Sequence, residues 1–104
     1  MLELNKDNFE QEVLLYDGTA LVDFWSPSCE PCKALLPHVY ELEKIYGDIK
    51  FTSVDITLAR RLAIGQKVMG LPVVAIYKNG IKIDSVVSDE ANPKSVEELI
   101  IKNL

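Results

Sequence analysis

The chain carries two cysteines, Cys29 and Cys32, three residues apart in Cys29-Glu30-Pro31-Cys32. On a helix, residues three apart share a face, with Cα atoms about 5 Å apart. That lies inside the window of roughly 4.4–6.8 Å an unstrained disulfide needs. The pair can therefore pass between dithiol and disulfide with little backbone movement. It follows an apolar run of strand length and opens a helical stretch. Orphan amides and the positive end of the helix dipole there favour a thiolate at Cys29, and a lowered thiol pKa makes a cysteine nucleophilic near neutral pH. Pro31 removes one amide and stiffens the turn between the sulfurs. Other uses of the pair are weaker. A staple closing so small a ring yields only about 2 kcal/mol by chain entropy. A zinc site needs four ligands, and the candidate third is His38, with no second cysteine pair. Inert thiols are the remaining alternative.

A second chemical signal is Asp23, which interrupts the apolar run Ala20-Leu21-Val22-Asp23-Phe24-Trp25. A buried carboxylate is costly unless paired or protonated, and desolvation raises its pKa. The alternative is a strand-edge residue facing solvent.

The elements that must hold these residues follow from pattern. Leu2–Leu4 predicts a short strand. Asn5 caps a helix running through Phe9, Val13 and Tyr16, closed by Asp17-Gly18. Residues Ala20–Trp25 predict a strand covered on both faces, broken by Ser26-Pro27-Ser28. A long helix is expected from about Cys29 to Tyr46. Leu35, Leu36, Val39, Leu42, Ile45 and Tyr46 share one broad face, and Pro37 inside it predicts a kink. Ile49–Ile56 reads as a strand, Leu58–Val68 as a short helix and Pro72–Tyr77 as a strand. Asn79-Gly80 supplies a tight turn with positive φ, after which Ile81–Val87 pairs back as a hairpin. Pro93 opens a last helix bearing Val96, Leu99, Ile100 and Leu104. The order β-α-β-α-β-α-β-β-α predicts an α/β fold with a mixed central sheet and helices on both faces.

Composition bounds the function. With 104 residues, 48% hydrophobic and 26% charged, the chain reads as one soluble domain over 1–104. Apolar runs of about five or six residues fall far short of the roughly 20 a membrane span requires. The N-terminal residues show no basic region followed by an apolar core, so a cytoplasmic location without a signal peptide is expected. Acidic residues outnumber basic ones 16 to 11, for a net charge of −5. The basic residues are interleaved with acids, the reverse of a nucleic-acid-binding face. Arg60-Arg61 reads as a solvated helix face and His38 as a surface or boundary residue. Met69 either lines a groove or packs.

The run Val22-Asp23-Phe24-Trp25-Ser26-Pro27-Ser28-Cys29-Glu30-Pro31-Cys32-Lys33 resembles the active-site segment of the thioredoxin family. Pro37, Gly70-Leu71-Pro72 and Lys78-Asn79-Gly80 match in register, and the likeness covers essentially the whole chain. The resemblance implies a thioredoxin fold and a protein-disulfide reductase that carries two electrons by thiol–disulfide exchange. Cys29 then corresponds to the attacking cysteine and Cys32 to the more buried resolving one. Asp23 corresponds to the proton acceptor and donor for Cys32, and Trp25 to a residue shielding the site. Pro72 corresponds to a cis-proline facing the sulfurs, with Gly70 and Pro31 beside the target. The backbone of Leu71 is left free to pair with an extended substrate strand. No cofactor beyond the Cys29–Cys32 pair and no metal is implied. The implied partners are a thioredoxin reductase, NADPH- or ferredoxin-linked, and proteins with disulfides; a monomer is expected.

Four departures from the family pattern bear on partner choice. Glu30 replaces the usual glycine; a carboxylate about 7 Å from the Cys29 sulfur opposes the thiolate by roughly 0.5–2 kcal/mol. Screening pushes that toward the low end, and Lys33 offsets part of it. Ser28 replaces a tryptophan, losing apolar contact surface. Ser53 stands where the family carries a lysine, leaving Asp23 without a nearby cation. Val87–Ala91 lacks the glycine the family places beside the substrate groove and adds an acidic rim. These departures keep two alternatives open, a pathway-dedicated electron donor and a non-redox binding module on the same fold.

Overall fold

The computed structural model describes residues 1–104. Five strands, β1 (Leu2–Leu4), β2 (Thr19–Trp25), β3 (Lys50–Asp55), β4 (Val73–Lys78) and β5 (Ile81–Val87), form one sheet in the order β1-β3-β2-β4-β5. β1 and β2 run parallel to β3, while β4 is antiparallel to both β2 and β5. Helix α1 (Glu30–Ile45) and helix α3 (Pro93–Lys102) cover one face. A one-turn π-helix (Glu10–Leu14) and helix α2 (Arg60–Gly65) cover the other. The expected element order and mixed sheet are present.

β2 sits at the centre because it can be buried on both sides: Ala20 through Phe24 are all buried. Alternation then divides the core. Ala20, Val22 and Phe24 face the layer of Phe9, Val13, Ala63, Val73 and Tyr77. Leu21 faces Leu35, Val39, Val74, Ile76 and Leu99 on the other side. Asp23, in phase with Leu21, belongs to this second face.

Turn and cap chemistry fixes the ends. The Cys29 sulfur accepts from the Cys32 N–H at the start of α1. At the start of α3, Asn92 Oδ1 accepts from the Ser95 N–H while Ser95 Oγ accepts from the Asn92 N–H, a capping box. Asn79 and Gly80 both have positive φ, 52° and 83°, the mirror-image turn that matches strand twist. A Cβ at Gly80 would collide with the Leu14 carbonyl.

Three expectations need correction. The first helix does not run from Asn5 to Tyr16. Asn5 Oδ1 accepts from the Asp7 and Asn8 N–H groups, but the helix proper is only Glu10–Leu14, closed by an i→i+5 bond from Leu15 N–H to Glu10 C=O. That wider turn still buries Phe9 and Val13 and leaves Leu15 exposed. Leu58–Val68 is not one helix. Asp55 Oδ1 accepts from the Thr57 N–H to hold a 3-10 turn over Ile56–Leu58, Ala59 at φ −148° breaks the path, and α2 follows. Ile45 is 65% exposed rather than part of the buried face of α1, because it stands at the last helical position, where the chain turns out through Tyr46 and Gly47.

Candidate active site

Strand β2 delivers the chain to the site. After Trp25 it turns through Ser26-Pro27-Ser28, with the Cys29 N–H donating to the Ser26 carbonyl at 3.1 Å. Cys29 is then the extended residue immediately before α1, and Cys32 lies in the first turn. The two are joined by a disulfide with Cα atoms 5.2 Å apart, the separation their spacing predicts. Their environments differ. Cys29 is half-buried at the helix tip, whereas Cys32 is 2% exposed. The Cys32 N–H donates to the Cys29 sulfur at 3.2 Å. A backbone donor at a helix N-terminus stabilises negative charge on that sulfur when the bond is open.

The residues around the pair come from four segments that meet at the end of β2. Phe24 pairs with Val73 in an antiparallel register, which sets Pro72 opposite Trp25. Val73 in turn pairs with Val87, so the end of β5 lies beside Pro72. The Ser88 N–H closes this row by donating to the Pro72 carbonyl at 2.8 Å. The Leu71–Pro72 peptide bond is cis. Pro72 is buried, Leu71 half-buried and Gly70 exposed. Trp25 is half-buried and lines a cavity with Ser53, Asp55 and Leu58. Pro31 is exposed on a second groove, between α1 and the loop Ala91–Pro93. His38 and Met69 are exposed, Met69 almost completely.

Asp23 lies deeper. It is 1% exposed, and its Oδ1 has no hydrogen-bond partner. Its neighbour on β3 is Ser53, so the position that carries a lysine in the resembled family offers no cation. Desolvation pushes its carboxyl from the usual 3.8 up to about 7. Cys32 lies on the face of α1 that also bears Leu35 and Val39, which pack against this side of the sheet.

Glu30 and Lys33 extend from the first turn of α1. Lys33 Nζ is 3.0 Å from Glu30 Oε1, both well exposed. The pair screens part of the Glu30 charge from the sulfurs but has little worth as a structural link. No group of three or more His, Cys, Asp or Glu side chains converges as a metal site, and no helix is long and apolar enough to cross a membrane. The pattern in the sequence overlooked Ser26, buried with its Oγ 3.4 Å from Ser28 Oγ. It also overlooked the backbone of Ser88, which has φ +55°. The missing glycine was the available signal for the second.

A fold with a disulfide at the tip of a helix, one sulfur accessible and one covered, defines a thiol–disulfide oxidoreductase. A sequence model described as thioredoxin matches residues 1–102. The chain is 55% identical over 103 residues to a thioredoxin of Acetoanaerobium sticklandii, covering 98% of each. It is 43% identical over 105 residues to a thioredoxin of Peptoclostridium acidaminophilum, covering 100% of this chain and 96% of the other. Among solved structures it is similar to oxidised mitochondrial thioredoxin 3 of Saccharomyces cerevisiae. That match has a TM-score of 0.87 and 28% identity, over 100% of this chain and 95% of the other. The chain belongs to the thioredoxin family and is a thiol–disulfide reductase, working in general between a reductase and disulfide-bearing targets.

Proposed function

We propose the following division of labour. In the reduced protein the Cys29 thiolate attacks one sulfur of a target disulfide; a Cys29–target bond forms and the second target sulfur leaves as a thiolate that takes up a proton. Cys32 then loses its proton to Asp23, and its thiolate attacks the Cys29 sulfur. The target's first sulfur leaves reduced, and the Cys29–Cys32 disulfide remains. Two electrons have passed to the target. A reductase, NADPH- or ferredoxin-linked, returns the dithiol.

The observation that carries this reading is the unequal exposure of the two sulfurs. The half-exposed Cys29 is reachable by a protein disulfide, whereas the covered Cys32 is reachable only by its neighbour. Asp23 fits the proton role because its carboxyl changes state near neutral pH. Trp25, Gly70, Leu71, Pro72 and Pro31 serve as target contacts, with the Leu71 backbone as the pairing edge. Glu30 and Lys33 tune the thiolate. The protein works as a monomer in the cytoplasm, as one domain.

Reduction of insulin disulfides with dithiothreitol as electron source tests the chemistry. Turnover well above the reagent background is expected; turnover equal to background returns the protein to the binding-module reading. Supplying an NADPH-linked or a ferredoxin-linked reductase in place of dithiothreitol then identifies the upstream partner.

A further inference from the structure

We propose that Lys82 is a site of reversible carbamate formation with carbon dioxide, and that the Lys67 ammonium is the counter-ion of the carbamate. The proposal goes beyond the reductase reading and does not depend on it. Lys82 stands at the start of β5, whereas the other end of that strand lies beside Pro72 through the pairing of Val87 with Val73.

Three observations support the assignment. First, two ammonium groups share one space. Lys67 and Lys82 line an open cavity of about 410 Å³ with Gly65 and Gln66, and no apolar side chain borders it. A Cβ at Gly65 would meet nothing within 4 Å. A carboxylate added to either lysine therefore has room and stays solvated. Second, the like charges are uncompensated. Neither lysine takes part in an ion pair of the molecule. Asp84 is close in sequence but does not reach them. Lys82 pairs with Tyr77 and Asp84 with Ile76, across a bulge, which turns the two side chains to opposite faces of the sheet. Asp84 is engaged there by Asn103 and Lys102. Third, Lys82 is held in place and made reactive. Its Nζ donates to the Gln66 carbonyl at 2.6 Å, and Gln66 is itself fixed by accepting from the Tyr77 hydroxyl at 2.6 Å. Burial and then the Lys67 charge both lower the Lys82 pKa, which raises the share of free amine at neutral pH.

Only the free amine of a lysine is a nucleophile. That of Lys82 attacks the carbon of carbon dioxide. An N–C bond forms, one C=O electron pair moves onto oxygen, and the nitrogen gives a proton to solvent. Nothing is oxidised or reduced, and loss of carbon dioxide restores the amine. The product carries a negative charge where the lysine carried a positive one, so repulsion from Lys67 becomes attraction. The nitrogen keeps one hydrogen, so its donation to the Gln66 carbonyl survives the reaction.

The test equilibrates the oxidised protein with isotopically labelled bicarbonate at about pH 8, where the lowered Lys82 supplies free amine. Carbamate is read by carbon NMR and, after trapping with a trialkyloxonium salt, by peptide mass mapping. The trapped group is expected on Lys82, at about threefold or more the occupancy of the exposed Lys6 and Lys94, the scale of one nearby charge at a solvated site. Lys82→Arg keeps the cation and a donor for the Gln66 carbonyl but offers no nucleophilic amine, so its spectrum should lack that resonance. Lys67 has φ +61°. Lys67→Asn places there a residue type tolerant of positive φ and should lower occupancy at Lys82 by about threefold. Lys67→Arg should leave it near the wild-type level. Thermal midpoints close to that of the wild type show that the variants are folded. Absence of trapped carbamate at Lys82 overturns the proposal, as does occupancy there no higher than at Lys6 and Lys94. Unchanged occupancy in Lys67→Asn overturns it too, because the carbamate then has no need of its counter-ion.

Discussion

The two faces of the sheet are equally well buried but treat their polar atoms differently. On one, Phe9 packs edge-on to Tyr77 with ring centroids 6.0 Å apart and tilted on Phe24 at 6.2 Å. The Tyr77 hydroxyl donates to Gln66 Oε1 at 2.6 Å, so this layer hides no unpaired side-chain atom. On the other face, among Leu21, Leu35, Val39 and Val74, Asp23 Oδ1 is buried without a partner. Leaving an acceptor so costs about 1–3 kcal/mol, and more when it is charged. This second face gives up stability at the position beneath the helix that carries the cysteines. An unsatisfied group in an otherwise satisfied core fits the proton role proposed for Asp23.

Substitutions on the two faces should therefore separate stability from activity. The largest effect expected on the aromatic face is Phe9→Ala, which removes a buried ring and should cost about 3–5 kcal/mol in urea unfolding. Insulin reduction per folded molecule should stay near the wild-type rate. If activity falls in proportion to stability, the faces are not separable.

Asp23→Asn should do the reverse. The native carboxyl titrates near 7, above its ordinary 3.8, so the folded state binds more protons than the unfolded state between those values. Stability contributed by this group is fully present below about pH 4 and is lost as pH rises through about 7. Asparagine cannot ionise, so the variant should gain up to about 4 kcal/mol over the wild type at pH 8 and nothing near pH 4. Reduction at pH 7 should slow by about tenfold or more. Urea unfolding at the two pH values, run beside the insulin assay, checks both. A variant equally stable relative to wild type at pH 4 and pH 8 contradicts the titration.

Smaller effects sharpen the contrast. Tyr77→Phe deletes the bond to Gln66 and should cost about 1 kcal/mol with no change in activity, read by thermal unfolding and insulin reduction together. Glu30→Gly removes an exposed charge close to the reactive sulfur. In the reduced protein the Cys29 thiol should then ionise at slightly lower pH, a difference of a few tenths because solvent and Lys33 already screen the carboxylate. Absorbance of the thiolate against pH measures it, and ionisation at the same or higher pH rules the effect out.

Much of this was legible in the sequence, and the reasons are specific. The Cys29–Cys32 spacing fixes a Cα separation on a helix, so the disulfide geometry could be anticipated. The lone acid in Ala20–Trp25 marked Asp23 because a two-sided strand leaves a carboxylate nowhere to reach water. Asn79-Gly80 announced its turn because both residue types favour positive φ. What stayed hidden was set by contacts between distant segments. The π-turn at Glu10–Leu14 depends on burying Phe9 and Val13 against β2 and β4, which local periodicity does not record. Ser88 adopts positive φ because its N–H is held by Pro72, sixteen positions earlier in the chain, and serine carries no intrinsic preference that would reveal it.

The asymmetry of the two sulfurs can be tested directly by trapping. Cys32→Ser and Cys29→Ser, each reduced, are mixed with a disulfide-bonded target and sampled by intact-mass spectrometry over time. Cys32→Ser should accumulate a stable mixed disulfide through Cys29 within the normal turnover time, while Cys29→Ser remains unmodified over the same interval. Equal or faster adduct formation through Cys32 in Cys29→Ser would contradict the assignment of attack to the exposed sulfur.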